Sequence, residues 1–253
     1  MTKLLKKVLP RSIRKKFKDF LHWFHWSADL KTSQRYSHIG SCGPLITDIF
    51  CKIKDIPGSF NIDDCAHFHL ILSLQTVFGL KGDLFEIGSF HGRSTAVMAR
   101  YLADGECIHV CDAFQLETED YYDGKTSPAE LLKNILAVNP HLTKQRIVVY
   151  KCLSSNLLLD GRLKFRFIHI DGGHSKEQTL FDLNLCQEHV VDKGIIIIDD
   201  YHHKNWPGVT PAVDLFLKES QKFTVMADLN RHGAKGRKIY LIKKAGEPAE
   251  IKG

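Results

Sequence analysis

Leu84-Phe85-Glu86-Ile87-Gly88-Ser89-Phe90-His91-Gly92-Arg93-Ser94-Thr95 is the stretch from which the rest of the chain is read. A short apolar strand ends in an acid and a glycine, turns tightly and opens a helix. That helix continues through Ala96, Val97, Met98, Ala99, Tyr101 and Leu102. Gly88 permits backbone angles that a side chain disfavours. Gly92 stands at the helix N-terminus, where free N–H groups favour electron-rich ligand atoms. Glu86 lies at the carboxyl end of the strand, the edge where open α/β sheets bind ligands. The turn departs from the dinucleotide fingerprint G-x-G-x-x-G, because Phe90 occupies the place of its second glycine. Pyrophosphate needs that glycine for close approach, and Glu86 would repel phosphate. A nicotinamide enzyme is therefore disfavoured, while a hydroxyl-bearing or cationic ligand suits the turn. A tight strand–helix turn with no ligand is the competing reading.

Downstream, Cys107 to Cys111 reads as a second strand ending at Asp112, which lies 20 residues beyond Gly92. An acid there accepts from both hydroxyls of a ribose; a turn aspartate is the plainer alternative. Arg146 to Lys151 is a third strand, and Ser154 follows it at the same edge, in reach of a base. Phe165 to Ile170 is a strand that ends Asp171-Gly172-Gly173-His174. Gly194 to Ile198 is apolar on both faces, as a central parallel strand is, and ends Asp199-Asp200-Tyr201-His202-His203. If these two strands are neighbours, their acid tips lie about 5 Å apart. Three carboxylates so close raise one another's pKa, and a divalent cation relieves the repulsion. All-oxygen ligands point to Mg²⁺, Mn²⁺ or Ca²⁺ rather than Zn²⁺, although His174, His202 and His203 keep an imidazole-liking metal open. Helix caps and turn formers are the alternative role for these aspartates.

The remaining chain supplies context. Its 253 residues suit one α/β domain with an N-terminal extension. The net charge of +6 is concentrated near the ends, so it is not read as nucleic-acid binding. The seven cysteines form no C-x-x-C pair and suit a reducing, cytoplasmic setting. No apolar run is long enough to span a membrane, and Pro10 and Arg11 interrupt any signal-peptide core. We expect residues 1–56 to be a basic amphipathic helical extension and flap, 57–244 the catalytic domain and 245–253 a flexible tail. Ile13, Phe17, Phe20, Leu21 and Phe24 share one helical face. This helix of residues 1–26 either contacts a membrane surface peripherally or docks on its own domain. Residues 27–60 read as loop-rich. Asn61 to Phe78 reads as a capped helix whose His67 and His69 are packing or surface residues. Residues 115–126 are an acidic insertion, either a lid or a solvated loop. Phe223 to Leu229 and Lys238 to Lys243 read as a final hairpin with a basic turn.

The residues quoted resemble the class I S-adenosylmethionine-dependent methyltransferases, and among them the metal-dependent sugar O-methyltransferase branch. The likeness spans about residues 57–243 and rests on Glu86 to Thr95, Asp112, Ile170 to His174 and Asp199-Asp200-Tyr201. It implies a Rossmann-like, doubly wound α/β fold: a seven-stranded sheet, mostly parallel, with a reversed last strand. It implies S-adenosylmethionine as cofactor, contacted by Glu86, Gly88, Ser89, Phe90, Gly92, Ser94, Asp112, Ala113, Ser154 and Asp171. Asp171, Asp199 and Asp200 would be the Mg²⁺ or Mn²⁺ ligands. His174 or Asp171 would be the base, and Tyr201, His202 and Trp206 would face the substrate. The expected reaction is O-methylation of a saccharide or glycosylated small molecule, by a monomer or homo-oligomer. A metal-dependent hydroxylase or hydrolase, and a non-catalytic membrane- or partner-binding module, are the alternatives.

Overall fold

The computed structural model describes residues 44–114, 116, 126–230 and 236–246. The basic helix of residues 1–26, most of the acidic insertion, the basic turn at 231–235 and most of the tail lie outside these described residues.

The chain runs α1 (Pro44–Ile53), α2 (Ile62–Val77), β1 (Asp83–Ile87), α3 (Arg93–Ala99), β2 (Ile108–Asp112), α4 (Pro128–Val138) and β3 (Ile147–Lys151). It continues β4 (Phe165–Ile170), α5 (Lys176–Gln187), β5 (Val190–Tyr201), α6 (Val209–Glu219), β6 (Phe223–Asn230) and β7 (Arg237–Lys243). The strands form one seven-stranded sheet in the order β3-β2-β1-β4-β5-β7-β6. β7 alone runs against its neighbours, so the expected Rossmann-like architecture with its reversed last strand is what the chain adopts.

Alternation along the strands builds two cores, one on each face of the sheet. Leu84, Val110, Phe167 and Ile197 pack beneath α1, α2, α3 and α4. Phe85, Cys111, Ile168 and Ile198 pack beneath α5 and α6. Caps define the helix starts: the Asn61 side chain accepts from the Asp64 N–H while Asp64 accepts from the Asn61 N–H, a reciprocal box that opens α2. Ser127 caps α4 with Pro128 at its first position. One element departs from the sequence reading. Part of the stretch expected to be loop-rich is α1, with Ile46, Ile49, Phe50 and Ile53 buried. Their three- and four-residue spacing is a helical face that Pro44 and the nearby glycines disguised. Among the described residues no helix is long and apolar enough to cross a membrane.

The register places the site. Ile87 is opposite Cys111 on one side and Ile170 on the other, and Ile170 is opposite Ile198. The next residues, Gly88, Asp112, Asp171 and Asp199, therefore share one rim. Strand order reverses between β1 and β4, so the crevice opens there. The Asp171 N–H donates to the Ile87 carbonyl at 2.8 Å, and Gly88, at φ +81°, lies directly on the Asp171 carbonyl. A Cβ at Gly88 would overlap that oxygen, and the left-handed backbone disfavours a side chain independently. Gly88→Ala is expected to lower unfolding free energy by about 3 kcal/mol or more, measured by urea denaturation; a loss below about 1 kcal/mol would show that the two loops part easily.

Candidate active site

The elbow after β1 is held from three sides. Gly92 takes φ +82° at the start of α3, with Leu131 of α4 packed where its side chain would stand. Phe90 adopts φ +51°, a left-handed angle held by its surroundings. Asp112 does much of that holding. Its Oδ2 accepts from the Ser89 and Phe90 backbone N–H groups, each at 2.8 Å, and from the Ser89 hydroxyl. Its Oδ1 accepts from the Phe114 N–H at 2.6 Å. Ala113 lies between these two anchored residues. Asp112 thus ties the first two strand–helix loops together, and Oδ1 retains acceptor capacity. From α4, Glu130 meets His91 at 2.9 Å and Asn134 donates to the His91 carbonyl.

Glu86 is where the structure corrects the sequence reading. It is fully buried, and its carboxylate accepts from Ser94 Oγ at 2.5 Å, from Thr95 Oγ1 and from His169 Nδ1 at 2.8 Å. Two residues after Leu84, Glu86 shares its sheet face and points at α3. Ser94 of α3 is buried, its hydroxyl directed at Glu86. Both residues clamp α3 to β1 instead of facing the rim. Ser154 is likewise turned inward, accepting from Gln178 of α5 at 2.9 Å.

The acid tips meet as the neighbouring strands require. One ligand atom from each of Asp171, His174 and Asp200 lies within 4.8 Å of the others, and so do those of His169, Asp171 and Asp199. His174 Nε2 is 3.0 Å from Asp200 Oδ2, and the ring stacks on Trp206 with centroids 4.1 Å apart. Asp199 Oδ1 accepts from the Asp200 N–H at 2.7 Å. Burial and the charges of Asp199 and Asp200 push the Asp171 carboxyl up to about 7, against the opposing pull of Lys238 and His169. Asp200 and His202 both take positive φ, 58° and 57°. A pocket lined by Asp171, Gly173, His174, Thr179, Asp199 and Val209 opens here. Of the three substrate candidates, Trp206 reaches the cluster. Tyr201 instead donates to Asp214 of α6 at 3.0 Å, and the His202 N–H is held by Thr210.

Sequence reasoning missed Lys238. It is fully buried in β7, its ammonium donating to Asp199 Oδ2 and lying 3.1 Å from His169 Nε2. Part of the signal was present: His169 interrupts the apolar run Phe167 to Ile170, while Lys238 only precedes the apolar run Ile239 to Ile242.

The comparisons with known proteins bear on this rim. A family model described as a methyltransferase domain matches residues 85–201, from β1 to the end of β5. An uncharacterized protein, R132 of Acanthamoeba polyphaga mimivirus, is 30% identical over 164 residues, covering 61% of this chain and 68% of the relative. The chain carries a methyltransferase domain. Among solved structures, the O-methyltransferase NovP superposes on 88% of this methyltransferase and 100% of its own chain, with a TM-score of 0.61 and 17% identity. An O-methyltransferase from Bacillus cereus in complex with SAH covers 85% and 97%, with a TM-score of 0.56 and 17% identity. CalS11, a TDP-rhamnose 3'-O-methyltransferase, covers 84% and 93%, with a TM-score of 0.53 and 19% identity.

Beneath the rim of the methyltransferase, Asp182 of α5 is wholly buried, and its Oδ1 accepts from Gln178 at 2.9 Å. Its Oδ2 has no hydrogen-bond partner among the described residues. Burial pushes its carboxyl up to about 6, although Ser154 and Gln178 pull the other way. A raised folded pKa means that the folded state holds the proton more tightly. Its contribution to stability is present below the ordinary value of 3.8 and is lost as pH rises through about 6. Asp182→Asn keeps the acceptor for Gln178 and removes the ionisation. It is expected to be more stable than the parent at pH 8 by on the order of 2 kcal/mol, the gap closing toward pH 4, as read from denaturant unfolding at the two pH values.

Proposed function

We propose that this methyltransferase transfers the methyl group of S-adenosylmethionine to a hydroxyl oxygen of a saccharide or glycosylated small molecule, assisted by a divalent cation at the acid tips. The observation that carries the reading is the shared rim: the Gly88 elbow and Asp171 are joined by the Ile87–Asp171 hydrogen bond. A cofactor at the elbow and an acceptor at the acid tips would meet over that bond. The likeness to CalS11, a TDP-rhamnose 3'-O-methyltransferase, supports a sugar acceptor, and the likeness to the B. cereus enzyme in complex with SAH supports the cofactor.

The residues fit both groups. For the cofactor, the left-handed elbow presents backbone from Ser89 and Phe90, and Asp112 keeps an acceptor position for a ribose hydroxyl. For the cation, ligand atoms of Asp171, His174 and Asp200 converge within 4.8 Å of one another, and a dication there would offset the mutual repulsion of the carboxylates. Asp171, Asp199 and Asp200 are the carboxylates that surround such an ion, with His174 beside them. When bound, the ion would orient the acceptor hydroxyl and lower its pKa. Asp171 and His174, the latter held against Asp200, are the two groups in reach of the hydroxyl proton. The rigid joint between the two loops would align that oxygen with the sulfonium methyl, the S–C bond breaking as the O–C bond forms and S-adenosylhomocysteine departing. Trp206, stacked on His174, forms an apolar wall beside that path.

Calorimetric titration with S-adenosylhomocysteine is expected to show one site per chain, and a folded protein that releases no heat overturns the reading. Turnover on nucleotide-linked sugars, followed as a gain of one methylene in mass, is expected to stop in EDTA and return with Mg²⁺ or Mn²⁺. Asp171→Asn is expected to lose turnover by about a hundredfold or more while S-adenosylhomocysteine affinity changes by less than about threefold.

A further inference from the structure

The ends of β2 and β3 carry two thiols that methyl transfer does not use. Cys111 is the penultimate residue of β2, and Cys152 follows the last residue of β3. Cys111 lies opposite Tyr150, so Cys152, two residues further on, falls on the same face of the sheet. The two sulfurs are 3.9 Å apart, and the Cys111 thiol also donates to the Cys152 carbonyl at 3.5 Å. Cys111 is buried and Cys152 half-buried, so the pair is approached from the Cys152 side. Burial, the Cys152 thiol and the charges of Asp182 and Asp112 push the Cys111 thiol up. Cys111 therefore stays protonated, and Cys152 is the sulfur that meets an oxidant first. Bonded sulfurs stand about 2 Å apart, so a bridge closes roughly half of the present gap. β3 is the edge strand and pairs only with β2 among the described residues, whereas β2 is held by β1 on its other side. The gap closes by drawing the end of β3 inward.

We propose that Cys111 and Cys152 are a peroxide-sensitive pair whose reversible disulfide weakens the cofactor elbow through Asp112. Asp112 follows Cys111 directly and accepts from the Ser89 and Phe90 N–H groups, each at 2.8 Å. Ser154 lies two residues beyond Cys152, its hydroxyl accepting from Gln178 of α5 at 2.9 Å. Closing the bridge pulls on both anchors at once, the elbow's on β2 and that of α5 on β3. Hydrogen peroxide balances the chemistry. The Cys152 sulfur attacks one peroxide oxygen: the S–O bond forms, the O–O bond breaks, and hydroxide leaves as water with the thiol proton. The Cys111 sulfur then attacks the Cys152 sulfur: the S–S bond forms, the S–O bond breaks, and a second water carries off the Cys111 proton. The two thiols lose two electrons, and the peroxide is reduced to two waters. A dithiol reverses the bridge by thiol–disulfide exchange. The effect on the cofactor rests on the reading above; formation of the bridge does not.

The test treats the reduced full chain with hydrogen peroxide, then follows it by non-reducing peptide mass spectrometry and by calorimetric titration with S-adenosylhomocysteine. A peptide pair joined through Cys111 and Cys152, lighter by two hydrogens than its parts, is expected. The oxidised chain is expected to bind S-adenosylhomocysteine about tenfold or more weakly, the worth of one hydrogen bond to a charged group, and dithiothreitol to restore the affinity. Cys152→Ala is expected to form no such link and to stay within about threefold of the reduced parent before and after peroxide; should it fail to fold, reversal of the parent by dithiothreitol decides. Cys152 carried instead to the sulfinic acid, or joined to Cys186, overturns the pair. A Cys111–Cys152 link with a smaller loss of affinity overturns control through Asp112, as does an equal loss in peroxide-treated Cys152→Ala. A folded, reduced parent that takes no S-adenosylhomocysteine overturns the cofactor reading, and the joined peptides still decide the bridge.

Discussion

The hydrogen bond from the Asp171 N–H to the Ile87 carbonyl is the constraint on which the rim depends. It crosses the point where the strand order reverses, and there the sheet would otherwise open. Because the next residue on β1 is Gly88, the two loops approach until backbone meets backbone. Neither loop is then free to move alone. Asp112 extends the same joint to the second strand by accepting from the Ser89, Phe90 and Phe114 N–H groups. The elbow, Asp112 and the first acid tip form one rigid unit.

Behind that unit runs a buried polar chain: Ser94 and Thr95 to Glu86, Glu86 to His169, His169 to Lys238, Lys238 to Asp199. It crosses β1, β4, β7 and β5 through the interior of the sheet. Such chains contribute little net stability, because removing each group from water offsets much of the pairing energy. Breaking one link is a different matter, since it leaves a buried charge without its partner. The chain gives positional definition. It holds α3 against β1 at the elbow end and holds one carboxylate of the acid cluster at the other.

Much of the fold was legible in the sequence because its signals are local. The apolar runs at 84–87, 165–170 and 194–198 have strand length and end in acids or glycines, and Asn61 and Ser127 announce helix starts by capping chemistry. Helix α1 was not legible, because Pro44 and the neighbouring glycines are loop formers and mask the helical spacing of Ile46, Ile49, Phe50 and Ile53. At the rim, Gly88, Asp112, Asp171, His174, Asp199 and Asp200 lie where their places at or just after strand ends put them. Glu86, near the end of β1, and Ser94, at the start of α3, point inward. Side-chain direction at a strand end turns on one residue of register, and that register is set by the neighbouring strand.

The sequence alone determined which residues stand at the carboxyl ends of strands, since strand length, alternation and turn chemistry are properties of a few consecutive residues. Only the tertiary structure decided which of those residues meet. Pairing β4 with β5 brought Asp171 beside Asp199, and inserting the reversed β7 next to β5 delivered Lys238 to that same carboxylate. A lysine 39 residues away in the chain carries no local mark of its partner. Its counter-ion is chosen by strand order, which is set by the free-energy minimum of the whole chain and has no counterpart in short-range sequence.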